Sequence, residues 1–517
     1  MSDGREPSGM QYSNPVLPGM HPDPTIARAG EDFYLAISSF EYFPGVPLFH
    51  STDLVSWERV GHCLTRDSQL DLRGREASDG IYAPTLRHHD GTFYMVTTDV
   101  GGDNGGHFIV TADDPAGEWS DPLYVDAGGI DPDLFFDDDG TAYFQYTDGE
   151  SLPEYRVRQA EIDLDTGELG DVRQLWRGIE GGFAEAPHIY ERDGTYYLIT
   201  AEGGTHTDHM VTVGRSDDPT GPFEPHPDNP VLSHRGRPMH PLSAMGHADM
   251  VQAPDGSWWM VFLGIRQYGP NPGVHHLGRE TFLAPVTWED GWPIVNDGEP
   301  IDPEMTVESL PGDSPGGLSS PARPFETTFD GELDDSWQFR RNPDPATYSL
   351  SDDGLSLVGK TDSLDELDAT FVGRPQSHFD CRAEIDLGFD PDDGEEAGLA
   401  LVMNESHHYE IGVGREGGET VARVRLRIGE VADEVAAVPV GGEDHRLVVD
   451  ATTEEYTFRY ADGDGEPTEL ATAATRYLST EVAGGFTGVY IGPYALGAGT
   501  ETATPAQVQR FVYEPAE

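Results

Sequence analysis

Five short motifs recur along this chain, and the residues that open them include those able to do acid–base chemistry. They are DPTI (23–26), APTL (83–86), DPDL (131–134), APHI (186–189) and HADM (247–250). Asp23, Asp131 and His247 stand at their heads, with Tyr82 and Glu185 one residue ahead of the same place in their own units. Carboxylates and an imidazole at equivalent places suit proton transfer. A carboxyl kept protonated can give its proton to a leaving oxygen, while an ionised one draws a proton from water. Hydrolysing a glycosidic bond needs such a pair, about 6.5–9.5 Å apart when water attacks directly. A further carboxylate beside the acid, Asp131 beside Glu185, would raise its pKa by like-charge repulsion. Asp and Pro are ordinary turn residues, so it is the recurrence that singles out Asp23.

The elements that must position these residues follow from the same repeat. Each motif begins about a dozen residues before the second aromatic of an aromatic-rich segment: EDFYLAIS (31–38), GTFYMVTT (91–98), GTAYFQYT (140–147), GTYYLITA (194–201) and GSWWMVFL (256–263). Each unit therefore reads as a strand, an acidic-Gly hairpin and a second strand. Asp137, Asp138 and Asp139 fall in one such hairpin, and Asp133 points along the axis. A third element with Asp or Pro and then an aromatic follows in STDLVSWERV, TADDPAGEWSDP and RSDDPTGPFEP. The units predict an all-β chain opening with a five-bladed β-propeller over 1–308, its innermost strands lining a channel and their first residues facing its mouth. Residues 309–324, rich in Ser, Pro and Gly, read as a linker. Beyond them, segments such as CRAEIDLGF and HRLVVDA alternate apolar and charged residues, which predicts a β-sandwich over 325–517.

Longer stretches carry a resemblance. NPVLPGMHPDPTI (14–26), SSFEYFPGVPLFHSTDLVSW (38–57), DGIYAPTL (79–86), IDPDLFFDDDG (130–140), FAEAPHIY (183–190), ITAEGGT (199–205), GHADMV (246–251), HLGRET (276–281) and GGFTGVYIG (484–492) resemble glycoside hydrolase family 43. More narrowly, they are similar to its β-xylosidases with a C-terminal β-sandwich. The resemblance implies Asp23 as general base, Asp131 as the orienting and pKa-tuning aspartate, and Glu185 as general acid. It implies Arg279 on the sugar hydroxyls, Phe40, Tyr82 and Thr205 lining the pocket, and Phe486 inserted over its mouth by the sandwich, which favours cleavage from chain ends. His247 is implied at the channel, where in some members the histidine helps hold a calcium ion through water. No other cofactor is implied. Many relatives carry Trp where this chain has Tyr82, which leaves xylose against arabinose open. The expected reaction is an inverting exo-β-1,4-xylosidase releasing xylose from xylo-oligosaccharides. The alternatives are an α-L-arabinofuranosidase, an enzyme with both activities on arabinose-containing oligosaccharides, or a non-catalytic sugar-binding propeller.

Composition bounds the partners. Against 31 basic residues, with Lys360 the single lysine, stand 94 acidic ones, for a net charge of −63. Nucleic acid and anionic lipid are poor partners for such a surface. Aromatics at 10% exclude a disordered acidic chain. The pattern resembles proteins of salt-accumulating halophiles, whose surface carboxylates are screened by salt. No apolar run is long enough to span a membrane, and MSDGREPSGM lacks an apolar leader; a cytoplasmic location is expected. Cys63 and Cys381 are too few for a disulfide framework. Homo-oligomerisation stays open at this point.

Overall fold

The computed structural model describes residues 9–102, 105–149, 155–179, 183–269, 273–312, 324–497 and 504–516. Five antiparallel sheets stand around one axis, four of them four-stranded and that of blade four carrying one more short strand. Their innermost strands are Thr25–Ala29, Gly80–His89, Ile130–Phe136, Glu185–Arg192 and Leu242–Gln252. Neighbouring innermost strands touch all the way round, blade five against blade one included.

The acidic-Gly hairpins form as the sequence indicates. Asp90-Gly91 and Asp193-Gly194 each join paired strands with both residues at positive φ, 50° and 84°, 53° and 77°, and Asp290-Gly291 makes the same turn between the third and fourth strands of blade five, at 50° and 76°. Two left-handed residues in succession make a turn whose twist matches the strands it joins, and Gly takes the second place without strain. Asp137, Asp138 and Asp139 lie in the turn before Ala142–Asp148. The recurrent aromatic pair splits between faces. Phe33, Phe93, Phe144, Tyr197 and Trp259 are buried, filling the spaces between blades. Each such ring contributes about 1.5–3 kcal/mol by leaving water. The ring is fastened by its ends: Met10–Ser13 pairs with Glu304–Val307. Asn14 also exchanges hydrogen bonds of 2.9 and 3.0 Å with the Leu283 backbone of blade five.

The rest of the chain is a sandwich of two sheets of eight strands, one of them completed by a propeller strand. Cys381–Gly388 alternates as expected, with Ala383, Ile385 and Leu387 inside and Arg382, Glu384 and Asp386 outside among arginines. Glu396–Asn404 does not alternate; it is buried throughout. One face of that strand enters the sandwich core through Leu399 and Leu401, and the other joins Ala400 and Val402 to a cluster with Met20, Phe40 and Tyr42 of the propeller. The join between the two parts is also a shared sheet. Propeller residues Tyr42–Phe43 pair with Gln338–Arg340 at the sandwich edge, and Tyr42 stacks on Tyr490 at 3.7 Å. The expected linker at 309–324 falls outside the described residues except at its ends.

Candidate active site

The mouth of the axis is built by a repeated irregularity. The innermost strands of blades two to five carry extra residues where they open: one each between Tyr82 and Thr85, Ile130 and Asp133, and Glu185 and His188, and two in blade five, between Ser243 and Gly246 and between Gly246 and Ala248. Such a bulge breaks the in-out alternation and re-aims side chains. In three of them a residue sits in the left-handed region, Asp131 at φ 53°, Ala186 at 49° and His247 at 49°, and Asp23 at 53° does the same ahead of blade one's strand. Asp and His tolerate this backbone; Ala186 has no polar side chain to help, and its strain is of order 1–3 kcal/mol. Glu185 is the last paired residue ahead of its bulge, opposite Ala201, and lies close enough to Asp23 and Asp131 for their charges to interact.

Asp23 is 4% exposed and surrounded by donors. Arg279 reaches its two oxygens at 2.9 and 3.4 Å, the Ser38 hydroxyl donates at 2.6 Å, and His247 Nδ1 lies 3.5 Å away. Burial pushes the carboxyl up, but Arg279, His247 and Ser38 together outweigh it and hold it below its ordinary value. His247 itself is driven down to about 4, first by burial, so it is neutral at neutral pH. Glu185 is poised the other way: burial, then the Asp23 charge, raise it to about 7 against the pull of Arg279. Asp131 is raised as well, by burial and by the Glu185 and Asp23 charges. Two carboxyls that repel in a buried place share a proton. The Ala186 N–H donates to Asp131 Oδ2 at 3.2 Å, a bond that favours the anion there but is outweighed by burial and the neighbouring charges.

An aromatic wall faces these groups. Phe40 and Tyr82 meet edge to face at 5.3 Å, and Phe486 of the sandwich lies 6.0 Å from Phe40 and 5.9 Å from Tyr82. Arg279 is packed 5.6 Å from the Phe40 ring centre and 5.4 Å from that of Phe486, and donates to Thr205 Oγ1 at 3.2 Å. Phe486 remains 36% exposed, as a residue at a mouth must be to meet a ligand. Its N–H donates to Ser78 Oγ at 2.9 Å, and the Ser78 N–H donates to buried Glu41 at 2.9 Å. A cavity of about 600 Å³ opens beside the wall, lined by Thr205, Arg279, His275, Glu481 and Phe486 among others. Neither this cavity nor one of about 560 Å³ between propeller and sandwich has any of the three carboxylates in its lining; the first adjoins Asp23 through Arg279.

Below the mouth lies a polar layer that the sequence reading left out, apart from Asp133. Arg87 holds Asp133 and Asp249 at 2.7 Å each and donates to His188 Nδ1 at 2.9 Å. Asp249 also accepts from the Thr25 hydroxyl at 2.7 Å and the Tyr190 hydroxyl at 2.5 Å. These residues stand two places beyond the mouth positions in their strands, except Arg87 and Tyr190, which stand four beyond. Thr25, Thr85, Asp133, His188 and Asp249 are polar in every unit, and that was the available signal. The layer bears on the calcium ion implied at the channel. A divalent ion there needs oxygen donors with free lone pairs, yet the channel carboxylates are engaged by Arg87 and by N–H and O–H donors. Among the described residues no group of three or more His, Cys, Asp or Glu is arranged to hold a metal ion. The residues of this layer do not fit calcium as direct ligands.

This arrangement has known counterparts. The description "Glycosyl hydrolases family 43" matches residues 12–293. The chain belongs to that family. Residues 326–514 match the β-xylosidase C-terminal concanavalin A-like domain. Among family 43 relatives, a non-reducing end α-L-arabinofuranosidase of Bacteroides ovatus is 42% identical over 511 residues, covering 97% of this chain and 94% of that protein. A xylosidase/arabinosidase of Butyrivibrio fibrisolvens is 38% identical, covering 97% and 99%. The solved structure of a xylan β-1,4-xylosidase from Bacillus halodurans superposes with a TM-score of 0.90 at 33% identity, covering 97% and 100%. The chain is thus a glycoside hydrolase, and the reading as a non-catalytic propeller falls away.

Proposed function

We propose that this hydrolase cleaves by a single displacement that inverts the anomeric centre. Asp23 is the general base that activates water, Glu185 the general acid that protonates the leaving oxygen, and Asp131 the group that orients Glu185 and keeps it protonated. The observation that carries this reading is the opposite poise of two carboxyls in one pocket, Asp23 held low by Arg279 and Glu185 pushed up to about 7. Acid and base assignments follow from environments that push paired pKa values apart. Phe486 closes one side of the pocket and supports attack on chain ends, and Phe40, Tyr82, Thr205 and Arg279 hold the terminal sugar.

The substrate is a xylo-oligosaccharide from which xylose is released by β-1,4 cleavage. A second reading, α-L-arabinofuranosidase or both activities, is favoured by the names of the relatives from Bacteroides ovatus and Butyrivibrio fibrisolvens. Nitrophenyl β-D-xylopyranoside and α-L-arabinofuranoside assayed side by side in molar KCl decide between them through kcat/KM. Proton NMR of the first product tests the displacement: the inverted anomer is expected, and a retained anomer refutes a single step. Concentrated salt is proposed as the working condition because a net charge of −63 loads the surface with repelling carboxylates.

A further inference from the structure

We propose that Arg87 is the resident cation of the propeller axis: its guanidinium takes the place a divalent ion would occupy there and, through the carboxylates it holds, positions Asp23, Asp131, Glu185 and His247. The catalytic half rests on the acid–base reading above; the cation half rests on geometry alone.

All five blades meet at this layer. Arg87 of blade two lies between Asp133 of blade three and Asp249 of blade five, 2.7 Å from each, and donates to His188 of blade four. Thr25 of blade one closes the ring by giving its hydroxyl to Asp249, while accepting from the Leu86 N–H at 2.9 Å. The Ile26 N–H adds a 3.0 Å bond to the same Asp249 oxygen, and the Ile189 N–H points at Asp133 at 3.4 Å. Both carboxylates are fully buried.

Two consequences follow. Each residue of the layer lies just inside the turn or bulge that aims a mouth residue. Asp133 lies two residues beyond Asp131, Asp249 two beyond His247, Thr25 two beyond Asp23, and His188 three beyond Glu185 across its bulge. A single guanidinium therefore sets the strand openings that carry the whole acid–base set. Its planar fork can serve two carboxylates and an imidazole at once, which a lysine ammonium cannot do in fixed geometry. In the other direction, calcium takes about 6–8 oxygen ligands. The carboxylate oxygens here are already answered by Arg87 and by N–H and O–H donors, which leaves too few for such an ion.

The test compares wild type, Arg87→Lys and Arg87→Met. Each is stripped with EDTA and melted at constant high KCl with and without about 5 mM CaCl2, since an ion that binds only the folded state raises Tm. Wild type should keep its Tm and its kcat in either medium. A calcium-dependent rise in wild-type Tm, or activity lost in EDTA and restored by calcium, overturns the cation half. Arg87→Lys keeps the charge and should fold, with kcat reduced about 10- to 100-fold by misplaced groups and KM within about twofold, because Arg87 does not touch the sugar. A folded Arg87→Lys enzyme with wild-type kcat overturns the positioning half. Arg87→Met exposes the two carboxylates to each other, and its Tm should fall and be raised by calcium; wild-type stability in that variant overturns the proposal, and if it does not fold the lysine variant carries the kinetic arm. Failure of the acid–base reading would show in the Asp23→Ala and Glu185→Ala variants and would leave the calcium melts readable.

Discussion

Replacing Arg279 by Gln removes the guanidinium that touches both oxygens of Asp23 while keeping a donor on the side chain. Two unit charges about 4 Å apart interact by about 4 kcal/mol at an effective dielectric of 20, which is about 3 pK units at 1.36 kcal/mol each. Ser38 and His247 remain in place and water enters, so an upward shift of about 1–2 units is expected for Asp23. The base works ionised, so the acidic limb of log kcat/KM against pH moves up by that amount. Arg279 also holds Glu185 down. Its loss lets Glu185 rise above about 7, and the alkaline limb moves up too. The bell is displaced to higher pH rather than narrowed. Stability follows the same charges. In wild type the depressed Asp23 contributes stability that is present above its unfolded pKa and lost as pH falls through its folded value. In the variant a buried carboxylate stands without its cation, a cost of about 3–5 kcal/mol near neutrality. The deficit should shrink as pH falls and Asp23 takes a proton. The assay is kcat/KM on an aryl glycoside from acid to alkali at fixed molar KCl, beside melts at the same pH values. A lower bell with both limbs where wild type has them would show that Arg279 acts on the sugar alone, and would refute its part in poising Asp23.

Other perturbations bear on separate parts of the site. Asp131→Asn removes one of two mutually repelling carboxylates, so the alkaline limb should move to lower pH and kcat should fall; an unmoved limb would leave Asp131 with orientation only. Phe486→Ala should raise KM for short substrates about threefold to tenfold, the worth of an aromatic contact of about 0.5–1.5 kcal/mol, and Ser78→Ala should do the same in milder form by freeing the Phe486 backbone; unchanged KM values in a normally folded variant would remove Phe486 from the pocket. Thermal melts in KCl should rise steeply over the first few tenths molar, because the Debye length falls from about 30 Å at 0.01 M to about 3 Å at 1 M; a Tm independent of salt would contradict the salt-adapted surface.

The blades were legible because each is a local unit: a period-two strand, an Asp-Gly turn and an aromatic that must be buried recur in order. The bulges were not, yet they decide which residues meet. A one-residue insertion leaves no periodic mark, and only the early placement of Tyr82 and Glu185 hinted at it. Asp23, Asp131, Glu185, His247 and Arg279 do come together, while Thr205, Phe40 and Tyr82 form the wall beside them. The axial layer was missed because attention fell on the heads of the motifs; five polar residues two places on, in strands otherwise apolar, were its trace. Arg87 has no charged counterpart in the other units, so nothing in the repeat pointed to it. The strand Tyr42–Phe43 was out of reach, since a two-residue pairing with Gln338–Arg340 has no local pattern. His275 and Glu481, joined at 2.7 Å between propeller and sandwich, were hidden for the same reason.

The division of labour between Asp23 and Glu185 is tested most directly by a leaving-group series. Aryl glycosides whose phenols span a wide pKa range are hydrolysed by wild type, Glu185→Ala and Asp23→Ala at fixed pH and salt. Without its acid, Glu185→Ala should keep substantial kcat on the most acidic phenols and lose about 10²- to 10⁴-fold on the least acidic, giving a steep dependence on leaving-group pKa. Asp23→Ala should lose activity throughout, because no group remains to activate water, and should show no such steepening. Parallel losses in both variants across the whole series would contradict the assignment of acid and base.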